Sequence, residues 1–286
     1  MTKSLRDIQF EVIDGKLDCS NNNLTSLDNV TKLYCGGNQL TSFDGCPENV
    51  KKLYCYSNQL TSLEGCPKNV VKLSCSNNQL TSLKGCPKNV VKLSCSNNQL
   101  TSLKGCPENV VKLSCFNNQL TSLDGCPKNV KELYCNHNQL ASLGKCPNNV
   151  TKLDCFNNQL TSLDGCLIML QKLDCCYNQL KSLEECPENV TTLCCGSNQL
   201  TSLEGCPESV KTLSYDTNPL NSIYKNKSLK EIHTINRFRK GMSIVNNIIL
   251  NHNANNIQKV WDDYWYKPND QGESRVAKMQ YNLYCQ

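Results

Sequence analysis

Histidine, tryptophan and methionine are scarce in this chain, at three, two and four residues among 286, and aromatic residues make up only 6% of it. So few large side chains leave little to fill the centre of a globular domain of this length. The three scattered histidines, His137, His233 and His252, set no base beside a nucleophile, and no glycine-rich phosphate loop follows a strand-like run. No CxxC pair or cysteine–histidine grouping has the spacing of a zinc site. Catalysis, a metal, a cofactor and a small-molecule substrate are therefore not expected. Long apolar runs are missing too, which leaves no candidate membrane span and no membrane partner. The opening stretch MTKSLRDIQF is charged rather than apolar, so no secretory leader is read there and a cytoplasmic location is expected.

What the chain does have is asparagine at a fixed interval. It recurs every 20 residues from Asn38 to Asn218, and Asn22 precedes the series by a shorter step of 16. A period of this kind marks a repeat solenoid whose units stack only on their neighbours, so function is to be sought on a long surface. Aligned on the asparagine, the unit from Val50 reads Val-Lys-Lys-Leu-Tyr-Cys-Tyr-Ser-Asn-Gln-Leu. This run resembles the LxxLxLxxNxL segment of the leucine-rich-repeat family, with Val in the first apolar place and Cys in the third. The resemblance covers residues 13 to 220 and implies a right-handed coil or horseshoe with a parallel β-sheet on its concave side. The second half of each unit, Thr-Ser-Leu-x-Gly-Cys-Pro-x-Asn, is too short for a helix and is expected to run extended or as a 3₁₀ turn on the convex side. In repeat length the chain is similar to secreted bacterial effectors. In wording, NQLTSL..CP.NV together with the tail from Ile235 to Asp270, it resembles the leucine-rich-repeat proteins of giant DNA viruses of amoebae, which implies a setting in host cytoplasm.

Strand alternation puts Leu53 and Cys55 inward and Tyr54 and Tyr56 outward, coil after coil, with Leu60 and Leu63 completing the core. The recurring asparagine is expected to turn inward and satisfy backbone groups at the bend. Most of the 22 cysteines fall on two columns, one from Cys35 to Cys195 three places before the asparagine and one from Cys46 to Cys206 eight places after it. They read as reduced, buried thiols standing in for apolar residues, with disulfides or a metal as the competing readings. Cys176 and Cys194 break the pattern at outward positions on adjacent coils, which makes them candidate exposed, reactive thiols or incidental drift.

The outward positions carry the candidate binding residues. One column holds Lys32, Lys52, Lys72, Lys92, Lys112, Lys152 and Lys172, broken at Glu132. Like charges at coil spacing repel by roughly 0.9 kcal/mol per pair in water, so the column reads either as solvated surface or as a contact that meets anions. Outward aromatics form two groups, Tyr34, Tyr54 and Tyr56, then Phe116, Tyr134 and Phe156 with His137 and Tyr177 nearby. They read equally as interface anchors and as sheet-stabilising pairs. Asp154 and Asp174 are the acidic candidates of the second half. Charge is segregated overall, with seven Lys against one Glu over residues 65–115 and eight acids against two Lys over 153–210.

The sequence divides into an N-terminal cap at 1–13, a solenoid of about eleven coils at 14–220 and a helical C-terminal cap at 221–286. The alternation of Leu5, Ile8, Phe10 and Val12 fits a short strand in the first. In the last, Ser228 to Glu231 reads as a capping box that opens a helix with Leu229, Ile232, Ile235 and Phe238 on one face, ending at Gly241. A second helix is expected around Ile244 to Ile249 and a third around Trp261 to Trp265, stopped by Pro268. Although this tail is basic, nucleic acid is not the expected partner.

Three functions remain open: a non-enzymatic scaffold that binds a protein on the concave face, in a host–virus setting; a structural or self-associating component joined through the opposed charges; and a ubiquitin-ligase adaptor or effector. The tail leaves little room for the last.

Overall fold

The computed structural model describes residues 30–165, 169–244, 247 and 251, together with the backbone of two short strands at 12–13 and 16–18. Asn22, Cys166, Cys285, most of the N-terminal cap and the third helix lie outside the described residues. Among the described residues twelve strands form one sheet in chain order: β1 Val12–Ile13, β2 Lys16–Asp18, β3 Lys32–Tyr34, β4 Lys52–Tyr54, β5 Lys72–Ser74, β6 Lys92–Ser94, β7 Lys112–Ser114, β8 Glu132–Tyr134, β9 Lys152–Asp154, β10 Lys172–Asp174, β11 Thr192–Cys194 and β12 Thr212–Ser214. Only β1 and β2 pair antiparallel; every later pair is parallel and in exact repeat register, as in Lys52↔Lys72, Leu53↔Leu73 and Tyr54↔Ser74.

Each strand is short because the backbone turns sharply just past it. The residue before the asparagine adopts a left-handed conformation in coil after coil, at φ 55° for Ser57, 52° for Asn117 and 53° for both His137 and Tyr177. That conformation ends the extended run and swings the next residue, the recurring asparagine, toward the interior. There Asn58 Nδ2 donates to its own coil at Cys55 O (3.1 Å) and to the preceding coil at Cys35 O (2.9 Å), while its Oδ1 accepts from Leu40 N (3.0 Å). The same set recurs at Asn78, Asn98 and Asn118. The expected inward asparagine is therefore present, and it binds coils together as well as closing its own bend.

The core is a stack of columns rather than a centre. Val50, Leu53, Cys55, Leu60 and Leu63 are all fully buried, and Cys66 nearly so. The far side of each coil is extended backbone broken by two β-turns, one closed by Cys66 N donating to Leu63 O (3.1 Å) and one by Val70 N donating to Pro67 O (3.3 Å). No 3₁₀ helix occurs among the described residues. A second asparagine column links these turns: Asn69 Nδ2 donates to Glu48 O one coil back (3.2 Å), and Asn89, Asn109, Asn129 and Asn149 repeat the bond.

Two compact units are distinguished, residues 1–229 and 230–286. At the end of the first, Tyr224 is fully buried and Tyr215 Oη donates to Lys227 O (2.7 Å). The helix α1 covers residues 229–244, and residues 247 and 251 are helical as well. It passes through Gly241, where the sequence reading ended it. Glycine is merely weak in a helix, and without a following proline it does not stop one. No helix among the described residues is long and apolar enough to cross a membrane.

Candidate interaction surface

The burial pattern of the strands fixes which side chains face outward. In β4, Leu53 is buried between exposed Lys52 and half-buried Tyr54, and β5 to β11 likewise bury the central residue between two outward ones. The candidate residues Lys52, Lys72, Lys92 and Lys112 thus stand in one column, and Tyr54, Tyr134, Asp154 and Asp174 in the next.

Around β4 the rings of Tyr34 and Tyr54 stack at 4.5 Å with planes 1° apart, and Lys72 Nζ lies 5.0 Å from the centre of the Tyr54 ring. Tyr56 lies against Gly36, where a Cβ would come within 2.7 Å of its ring, so the glycine makes room for it. Across β5 to β7 the face is hydroxyl-lined, with Ser76 and Ser94 hydrogen-bonded at 2.8 Å and Ser96 and Ser114 at 2.9 Å.

The break in the lysine column proves to be a small network. Glu132 Oε2 accepts from Lys112 Nζ (2.7 Å) and from Tyr134 Oη (3.0 Å). Lys112 and Lys152 approach the Tyr134 ring to 5.1 and 4.9 Å. The hydrogen bond from Lys112 lowers the Glu132 carboxyl pKa, and the same bond raises that of Lys112. Rings and one carboxylate thus relieve part of the repulsion that a bare lysine row would carry.

Beyond it, Phe156 meets His137 and Tyr177 edge to face, at 4.8 and 5.2 Å. His137 and Tyr177 occupy the left-handed corner rather than the strand, and Tyr177 is 59% exposed. The sequence placed both near the cluster without assigning them to it; the signal was their position just before the asparagine. Phe116 is half-buried one coil before this group.

Asp154 and Asp174 are register neighbours. Burial, then the charge of Asp174, raises the Asp154 carboxyl pKa. Each also holds its strand end, Asp154 Oδ1 accepting from Phe156 N (3.4 Å) and Asp174 Oδ1 from Cys176 N (3.1 Å). Cys176 and Cys194, expected to be exposed, are half-buried. Burial and the Asp174 charge push Cys176 up to about 12 and Cys194 upward, so neither is a thiolate near neutral pH. Column cysteines such as Cys55, Cys75 and Cys95 are free thiols, raised by burial in the same way. Among the described residues, no group of three or more His, Cys, Asp or Glu side chains has the arrangement to hold a metal ion. Depressions on the turn side, such as the one lined by Gly125, Cys126, Lys128 and Cys146, are open to solvent.

An in-register stack of short parallel strands with an inward asparagine at the bends and a variable outer face defines a leucine-rich-repeat solenoid. Its solved neighbours are of that class. The chain is similar to YopM from Yersinia enterocolitica WA-314 at 30% identity and a TM-score of 0.62, over 67% of this chain and 43% of that one. It is similar to the functional domain of InlJ from Listeria monocytogenes, described as including a cysteine ladder, at 27% identity and a TM-score of 0.52, over 71% and 53%. It shares its fold with a structure of the FLRT2 repeat domain in an octameric complex with latrophilin 3 and Unc5D, at 19% identity and a TM-score of 0.59, over 74% and 77%. The chain thus spans about half or less of the first two proteins. No protein-family model and no curated protein sequence matches it.

Proposed function

We propose that this chain is a non-enzymatic scaffold that takes a partner protein across the outer face of its sheet. The observation that carries this reading is the pair of aromatic groups, Tyr34–Tyr54–Tyr56 and Tyr134–Phe156–Tyr177, held on the strands and on the bends just past them, with lysines between them. Aromatic side chains lose little conformational freedom when they bind, and here packing against neighbouring coils already restrains them. A host–virus setting in the cytoplasm is the reading that the repeat wording and the tail support. That the FLRT2 repeat domain is part of an octameric complex with latrophilin 3 and Unc5D is consistent with a binding role.

Affinity capture from expressing cells tests this with two variants, one carrying Lys72→Glu, Lys92→Glu and Lys112→Glu, the other Phe116→Ala and Phe156→Ala. Specific partners are expected to weaken by roughly tenfold or more with at least one of them, the scale of an interface anchor. Capture of every partner at wild-type level by both folded variants would sink the proposal.

A further inference from the structure

The turn side of the solenoid, opposite the sheet face, carries its charge in two columns: the residue after each Ser-Leu and the residue after each proline. Between Gly65 and Pro107 these positions hold Lys68, Lys84, Lys88 and Lys104, all exposed, and that stretch contains no acid. Farther along, the same positions hold Asp164, Glu184, Glu188, Glu204 and Glu208, with Glu185 beside Glu184; of the two lysines in that stretch, Lys172 stands on the sheet face and Lys181 beyond it. Side chains here reach across one coil, since Lys84 Nζ lies 3.2 Å from Glu64 on the neighbouring unit.

The two blocks are centred about five coils apart, roughly 24 Å along the stack and about three Debye lengths at physiological salt. Within one chain they therefore barely neutralise each other. A second copy can do so. Running antiparallel about a twofold axis, it sets the lysine block of each chain on the acidic block of the other, so both contacts form at once and the assembly closes. A parallel pair would oppose like charges, and a head-to-tail array would leave one block open at each step.

We propose that this chain forms a salt-sensitive antiparallel homodimer through its turn side, which leaves the sheet face free for a different protein. The contact does not depend on the outer aromatic groups, so it stands or falls separately from the scaffold reading.

The test uses two reversal variants of the full chain. One carries Lys68→Glu, Lys88→Glu and Lys104→Glu, and the other Glu184→Lys, Glu185→Lys, Glu188→Lys and Glu208→Lys. Every one of these changes installs a residue that another coil already bears at the equivalent place, as in Glu108, Glu64, Lys84, Lys145 and Lys128. Circular dichroism checks that each variant is folded.

By sedimentation velocity the wild type is expected to be a dimer at about 50 mM salt and to dissociate at least tenfold more readily at about 500 mM. Each variant alone is expected to be monomeric, because its two blocks then carry the same sign. An equal mixture of the two is expected to give a 1:1 heterodimer. A wild type that is monomeric at low salt, association indifferent to salt, assemblies growing beyond the dimer, or folded variants that fail to pair when mixed would each overturn the proposal.

Discussion

At the residue scale, two adjacent asparagines in one coil do unlike work. Asn118 is buried; its Nδ2 donates to Cys115 O (3.0 Å) and Cys95 O (3.1 Å), and its Oδ1 accepts from Leu100 N (2.9 Å). Asn118→Ala strands all three backbone groups and is expected to lower stability by about 2–4 kcal/mol in urea unfolding. Asn117 instead holds φ 52° at the corner, where Asn117→Gly is expected to be neutral and Asn117→Val to cost about 1–2 kcal/mol. The first role was legible because one letter recurs in every unit. The second was not, because the corner is filled variously by Ser57, Asn97, His137, Tyr177 and Thr217, and only the backbone shows what they share. The thiols make a further prediction at this scale. Burial raises Cys86 and Cys126 from 9.0 to about 12. A proton held more tightly in the folded state stabilises fully below the unfolded value, and that contribution is lost as pH rises toward the folded one. Stability is thus expected to fall between about pH 9 and 12 in denaturant titrations, while native cysteines resist alkylation at neutral pH and react once unfolded.

At the scale of the element, the turns explain why glycine recurs and where it need not. Gly125 has φ 83°, and a Cβ there would lie 2.5 Å from Lys104 N and 2.7 Å from Leu103 C of the neighbouring coil. Gly125→Ala is expected to cost about 2 kcal/mol or more, measured as a shift in the urea midpoint. Lys145 and Glu185 fill the same place in their own coils without a positive φ. Cys146 N still donates to Leu143 O (2.8 Å) and Cys186 N to Leu183 O (2.9 Å), so the turn survives by changing type. Lys145→Ala is accordingly expected to stay within about 0.5 kcal/mol of wild type. Gly and Pro announced turns in the sequence, but their number and kind depend on hydrogen bonds between coils that a single unit does not display. The strands were more legible, since Leu and Cys alternate with variable residues in every coil. Among the candidate residues the sequence identified the outward columns but not the Lys112–Glu132–Tyr134 network, which needs side chains from neighbouring strands at contact distance.

At the scale of the molecule, each coil touches chiefly its two neighbours, so stability is expected to behave as a sum over coils and junctions. Residues 61–80 and 81–100 differ only in Glu64 against Lys84. Deleting 81–100 joins Leu80 to Thr101 in the local sequence that Leu100 and Thr101 already have. The shortened chain is expected to fold cooperatively with strand signal per residue unchanged in circular dichroism, and with a lower urea m-value in proportion to the lost surface. The same near-identity has a kinetic cost. A coil searching for its place finds two docking faces of almost equal merit, and extruding a skipped unit of this length as a loop adds only a few kcal/mol of closure entropy. Refolding from denaturant is therefore expected to trap a fraction of chains one step out of phase, and these must detach and re-dock before every unit is threaded into the stack.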